Sequence, residues 1–173
     1  TINWQAAFGG DGGEVCFQSQ NPQFILGETQ NTYLQRSNDG GTSWVQSNNG
    51  LTGNGSWVGP ILANPTAPEI FFTAREQVFK TTTWGVIWIP ISSGTSGVIR
   101  EMAISRSDPN TLYATSGAAI YKSTDGGVTF ASVTSGLPGR TITSVYVHPD
   151  SANVAVITFS GFGAGKVYKT TNG

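Results

Sequence analysis

Three observations predict that this chain folds into β-structure and nothing else. Helix signals are almost absent: no dozen residues place apolar side chains at i, i+3, i+4 and i+7 without a Gly, Pro or Asn cluster intervening. Short β-rich runs recur, each bounded by residues that supply turn geometry. Finally, two landmarks repeat in step. Prolines of the turns Asn21-Pro22, Asn64-Pro65, Asp108-Pro109 and His148-Pro149 lie 43, 44 and 40 residues apart. Segments opening at Ser37, Thr81, Ser123 and Thr170 lie 44, 42 and 47 apart. A shared period of about 40–45 residues marks a blade-repeat array. Together they predict an all-β fold, a β-propeller of four-stranded antiparallel blades with four modules in this chain.

Taken in order, the expected strands are Glu14 to Ser19, Phe24 to Glu28, Thr32 to Arg36 and Ser43 to Gln46, then Glu69 to Ala74, Val78 to Thr81 and Val86 to Ile91. Next come Met102 to Ser105, Thr111 to Thr115, Ile120 to Ser123 and Thr129 to Val133. Ile142 to Val147, Asn153 to Phe159 and Lys166 to Thr170 complete the series. In each module strand A precedes the proline turn and strand B follows it. Strand C ends at the Ser/Thr landmark, and strand D begins at the next aromatic. An isolated blade cannot bury both faces, so the modules must stack. The repeat units are about 9–51, 52–94, 95–137 and 138–173 plus 1–8, a single propeller domain or propeller segment.

The second landmark has a physical logic of its own. In Ser37-x-Asp39-x-Gly41-x-Ser43-Trp44 and Ser123-x-Asp125-x-Gly127-x-Thr129-Phe130, the carboxylate accepts backbone N–H groups within a tight turn. The glycine takes positive φ, and the aromatic anchors the turn. These residues resemble the Asp-box, or BNR repeat, of sialidases, sortilin-type receptors, xyloglucan-active glycosidases and photosystem assembly factors. The second copy keeps Thr81, Gly85 and Trp88 but has Thr83 at the Asp position; the last holds only Thr170 and Asn172. The resemblance implies structural turns on the blade periphery, so function must be argued from a site elsewhere.

The chain ends look complementary. Joined, Thr170 to Gly173 and Thr1 to Trp4 read TTNGTINW, and Trp4, Trp44, Trp88 and Phe130 are spaced 40, 44 and 42. The N-terminal strand is therefore expected to complete the last blade. Three arrangements satisfy this: an excerpt of a larger propeller, a closed four-bladed ring, or pairing between chains in a larger ring or filament.

A charge of -1 with nine Lys and Arg gives no footprint for nucleic acid, and no apolar run of about 20 residues offers a membrane span. The single cysteine, Cys16, excludes an internal disulfide and reads as a small buried hydrophobe. No cofactor or metal set is expected. Gly9 to Glu14 and Ser160 to Lys166 lack the strand–helix context of a phosphate loop. His148 occupies a repeated turn, where capping is its natural role, and Asn54-Gly55-Ser56 is a glycosylation acceptor only in a suitable host.

Variable D–A and B–C loops, expected at one end of the blades, are where a ligand would bind. The candidates are Asp11, Glu14, Glu28 to Asn31, Asn54 to Trp57, Arg75, Glu76, Arg100, Glu101, Arg140 and Phe162. Acids, arginines and the rings of Trp57 or Phe162 suit a sugar or a protein partner. The favoured function is a non-enzymatic recognition or assembly module, extracellular, periplasmic or at the cell surface, with self-association through the complementary ends. This rests on the resemblance, the low charge and the lack of a convergent catalytic set. The alternative is a glycoside hydrolase-like propeller acting on polysaccharide. It would need two carboxylates about 5–10 Å apart, drawn from Asp11, Glu14, Glu28, Glu76 and Glu101. A sialidase would also use a tyrosine and three arginines; Arg75, Arg100 and Arg140 sit on loops without a tyrosine, and the Arg-Ile-Pro signature is missing.

Overall fold

The computed structural model describes residues 3–163 and 165–173. Among these residues there are fifteen strands and no helix, in four antiparallel sheets of consecutive strands. Blade 1 comprises β1 (Gly12–Phe17), β2 (Ile25–Thr29), β3 (Tyr33–Ser37) and β4 (Val45–Gln46). Blade 2 comprises β5 (Ile61–Ala63), β6 (Phe71–Ala74), β7 (Val78–Thr81) and β8 (Ile89–Pro90). Blade 3 holds β9 (Glu101–Ile104), β10 (Leu112–Ser116), β11 (Ala119–Ser123) and β12 (Ala131–Ser132). Blade 4 holds β13 (Ile142–His148), β14 (Ser151–Phe159) and β15 (Val167–Thr170). The first strands lie side by side, β1 on β5, β5 on β9 and β9 on β13. This is the all-β propeller architecture that the repeat predicts, as an arc that does not close.

Two features differ from the sequence reading. Strand β5 fills the A position of blade 2, which the run-by-run reading left empty. Only three residues long and preceded by Pro60, it carries little strand signal of its own. The last sheet has three strands, and residues 3–9 form no strand, so the N-terminus does not complete blade 4 within the chain. The physical reason is visible at Phe8. Its ring meets Trp44 edge-on at 4.9 Å and rests on Gly27, which holds this segment against blade 1.

Apolar cores lie between blades. Leu26 and Leu34 of blade 1 meet Phe71, Phe79 and Trp88 of blade 2. Phe72 and Val78 meet Ile99, Leu112 and Phe130 of blade 3, and Tyr113 and Ile120 meet Val145, Ala155 and Ile157 of blade 4. Alternation along each strand sends one set of side chains to each neighbour.

The turns between strands C and D share one hydrogen-bond plan. The buried Ser37 hydroxyl donates to Asp39 Oδ1 at 2.8 Å and accepts from Gly41 N at 2.8 Å. Asp39 accepts from Ser43 N at 2.9 Å and from Ser43 Oγ at 2.6 Å. Ser123 and Asp125 repeat the plan with Gly127 and Thr129. Bonds chiefly from the Ser43 and Thr129 hydroxyls hold both carboxyls at a pKa of about 2. In the second copy, Thr83 Oγ1 takes the carboxylate's place, accepting from Ile87 N at 3.1 Å. Trp84 there adopts φ 57°, the conformation Gly40 and Gly126 adopt at 71° and 75°. Its stacking on Phe24, centroids 3.6 Å apart, offsets the strain of a bulky residue in that region. Thr170 and Asn172 start the same turn, with Thr170 Oγ1 donating to Asn172 Oδ1 at 3.0 Å.

Candidate functional site

The D–A and B–C loops do meet at one end of blades 1 and 2. There they enclose a shallow cleft of about 680 Å³ lined by Thr29, Gln30, Asn31, Tyr33, Gly53, Asn54, Gly55 and Arg75. Its floor is the β2–β3 hairpin, where Asn31 and Thr32 sit at φ 64° and 55°. Asparagine tolerates this left-handed region; threonine, branched at Cβ, is strained there. The strain is held from outside the hairpin. Asn31 N donates to Trp57 O at 3.0 Å, and the buried Thr32 hydroxyl donates to Ser56 O at 3.3 Å. Gly55 and Gly59 lie so close to Asn31 and Thr32 that a Cβ on either would collide with them. Backbone strain over-determined by its surroundings is typical of ligand-binding segments.

Arg75 forms the wall. Its Nη1 donates to Gly53 O at 3.3 Å and its Nη2 to Thr32 O at 3.2 Å, so the guanidinium ties three loops together. Its Nε is buried without a partner, and desolvation lowers its pKa from the usual value. Asn54 Nδ2 donates to Glu76 Oε1 at 2.7 Å at the rim, and Trp57 stands 60% exposed beside it. Thus Trp57, Arg75 and Glu76 of the sequence candidates gather with Asn31 and Asn54, and Asp11 joins through its N–H to Gln30 Oε1 at 3.1 Å.

The remaining candidates fall in two other places. Glu14, Arg100 and Glu101 line a small cavity with Gly59 and Pro60, beside strands β1, β5 and β9. Next to it Glu28 is buried, its Oε1 accepting from Glu14 N at 3.2 Å and Gly59 N at 2.8 Å while Oε2 has no partner. Burial pushes the Glu28 carboxyl up to about 7 against the downward pull of the two N–H donors, with the Glu14 charge adding the least. Burial raises Glu101 as well. Arg140 lies in the loop entering blade 4. Its guanidinium donates to Phe162 O at 3.1 Å and Gly165 O at 2.6 Å and stacks over Phe159, while the Phe162 ring is fully exposed.

Sequence reasoning missed Thr32 and Tyr33, which read as ordinary strand residues; the only local hint was the preceding Asn31. Cys16 is half-buried and its thiol is pushed up to about 11 by burial, so it is no thiolate nucleophile. Among the described residues no cluster of His, Cys, Asp and Glu is arranged to hold a metal, and no helix is long and apolar enough to cross a membrane.

No protein-family model matches the chain, and no curated protein is similar to it. Solved structures are. The GH74 enzyme of Niastella koreensis superposes with a TM-score of 0.70 at 20% identity, over 91% of this chain and 28% of that one. The GH74 xyloglucanase of Xanthomonas campestris gives 0.67 at 18% identity, over 91% and 27%. YCF48, solved bound to D1 peptide, gives 0.54 at 20% identity, over 84% and 44%. The chain spans about a quarter of the enzymes' length and under half of YCF48. At such identities the likeness shows the fold, and the chain is a β-propeller module.

Proposed function

We propose that this chain is a non-enzymatic recognition module of the Asp-box type, working outside the cytoplasm and binding a protein partner through the cleft of blades 1 and 2. The observation that supports it most is the strained Asn31-Thr32 hairpin held beside the partly unsatisfied Arg75. Peptide-recognising amides and a tyrosine line the cleft, the exposed Trp57 stands at its rim, and among the described residues Glu76, bonded to Asn54, is the one carboxylate at that rim. Glycoside hydrolysis needs two carboxylates across a cleft, so this site is suited to binding. YCF48, with its bound peptide, shares the fold.

The second reading, a glycoside hydrolase-like propeller, draws on one observation: Glu28 is raised to about 7 beside Glu14 and near Glu101, the kind of environment that keeps an acid protonated. One experiment separates the two. The chain is screened by calorimetry against a displayed peptide library and by reducing-sugar assay against soluble polysaccharides including xyloglucan. Peptide binding lost in Trp57→Ala and Asn54→Ala at unchanged Tm is the expected result. Polysaccharide hydrolysis abolished by Glu28→Gln would overturn the proposal in favour of the enzyme.

A further inference from the structure

The turn between strands C and D of blade 2 departs from its neighbours at three matching positions. Blade 1 places Gly40, Thr42 and Ser43 there, and blade 3 places Gly126, Val128 and Thr129; blade 2 places Trp84, Val86 and Ile87. The Ser43 and Thr129 hydroxyls bond the carboxylates of Asp39 and Asp125. Blade 2 has lost both members of that pair, to Thr83 and Ile87, so a charged corner of the repeat has become an apolar one. The turn does not require this, because Thr83 Oγ1 accepts from the backbone N of Ile87, a bond that any side chain there allows. Val86, Ile87 and Ile89 are each exposed by 42% or more. Trp84 is held at positive φ where its counterparts are glycine, a strained backbone that keeps an indole at this corner. Blades 1 and 3 flank blade 2 on its two sides, so the exposure belongs to the outer rim.

Beside the corner stands an arginine without a partner. Each of these three blades carries a basic residue on strand C at one register position: Arg36 opposite Val45, Lys80 opposite Ile89 and Lys122 opposite Ala131. Lys80 lies 5.9 Å over the Phe72 ring and Lys122 5.7 Å over Tyr113, with a further bond to Asn153 Oδ1 at 3.0 Å. Arg36 has neither. Its strand-B neighbour is Leu26, its Nε is buried without a partner, and among the described residues nothing hydrogen-bonds or ion-pairs with its guanidinium. Its Cδ packs against Gly85, between Trp84 and Val86, 3.4 Å from where a Cβ would stand.

We propose that this corner is a second docking surface, at the opposite end of the blades from the cleft, for a segment of a partner protein that sets a carboxylate among apolar side chains. The charge decides the occupant. The carboxylate that the repeat places here is gone, and an unpaired guanidinium remains against an apolar surround. An Asp or Glu side chain matches it with two parallel hydrogen bonds, and aliphatic or aromatic neighbours cover Val86, Ile87 and Ile89. Tryptophan and arginine are the residues that carry most binding energy at protein interfaces. Pro90 ends β8 after two residues, and a short edge closed by proline disfavours strand addition by a second copy.

The test is selection of displayed random peptides on the full chain carrying Trp57→Ala and Asn54→Ala, which blanks the cleft, followed by calorimetry with synthetic copies of the selected peptides. The peptides should share an Asp or Glu flanked by apolar residues. They should bind about ten-fold or more weakly to Arg36→Gln, and to Val86→Thr combined with Ile87→Ser, which restores the residues of blade 1, at unchanged Tm. Added salt should weaken binding to the parent chain more than to Arg36→Gln. Selection of no peptide overturns the proposal. So do peptides without acidic enrichment, or binding indifferent to the Val86 and Ile87 changes. Self-association of the chain that is lost in Ile87→Ser would assign the surface to a second copy and likewise overturn it. With the cleft blanked, each of these results leaves the cleft reading standing.

Discussion

Glu28 makes the stability of this fold depend on pH in an unusual direction. Its side chain is 1% exposed, and burial raises its pKa from 4.5 to about 7. The folded state therefore holds a proton that the unfolded state gives up above about pH 4.5. The benefit is fully present below that pH and is lost as pH climbs through 7. A shift of this size corresponds to about 3 kcal/mol between pH 4 and pH 8, at 1.36 kcal/mol per unit. Glu101, also raised, adds to the same slope. Asp39 and Asp125 act oppositely: held at about 2, they support the fold above 3.8 and withdraw that support as pH falls toward 2. Stability should therefore peak near pH 4–5. The assay is urea unfolding at half-unit steps from pH 3 to 9, at one fixed protein concentration, for the unaltered chain and for Glu28→Gln. In the variant the fall between pH 4.5 and 7 should shrink to what Glu101 contributes. Superimposable profiles, or a chain no less stable at pH 8 than at pH 5, would refute the reasoning.

Ser123→Ala should cost about 1–3 kcal/mol, because it leaves the buried Gly127 N–H without its acceptor; chemical denaturation measures this, and a neutral result would mean the turn is held by its glycines alone. Trp88→Ala removes the largest buried side chain of the blade 1–2 boundary and should cost about 3–5 kcal/mol in the same assay. Asp125→Ala should lower Tm while leaving peptide binding at the cleft unchanged, since the turn and the cleft share no residue; lost binding at constant Tm would place the site on the turn.

What the sequence made legible was local. Turn residues lie within a few positions of the groups they bond, so the period, the strands flanking it and the Ser37 and Ser123 turns follow from spacing. The Thr83 copy was legible as a departure, but not that a hydroxyl and a left-handed Trp84 would reproduce the same turn; that needed the stacking partner Phe24, sixty residues away. The sites are illegible for the same reason. Arg75 acquires its meaning from Gly53 and Thr32, on two other loops, and Glu28 from Gly59, thirty-one residues on. At the start of a loop Glu28 reads as solvated; only the approach of the next blade removes its water. A third landmark is the intermediate case. Asn49-Gly50, Ser93-Gly94 and Ser135-Gly136 recur 44 and 42 residues apart, a third landmark in phase with the other two. Its role shows only in space, where Gly50 and Gly94 press on the Trp88 and Phe130 carbonyls of the next blade.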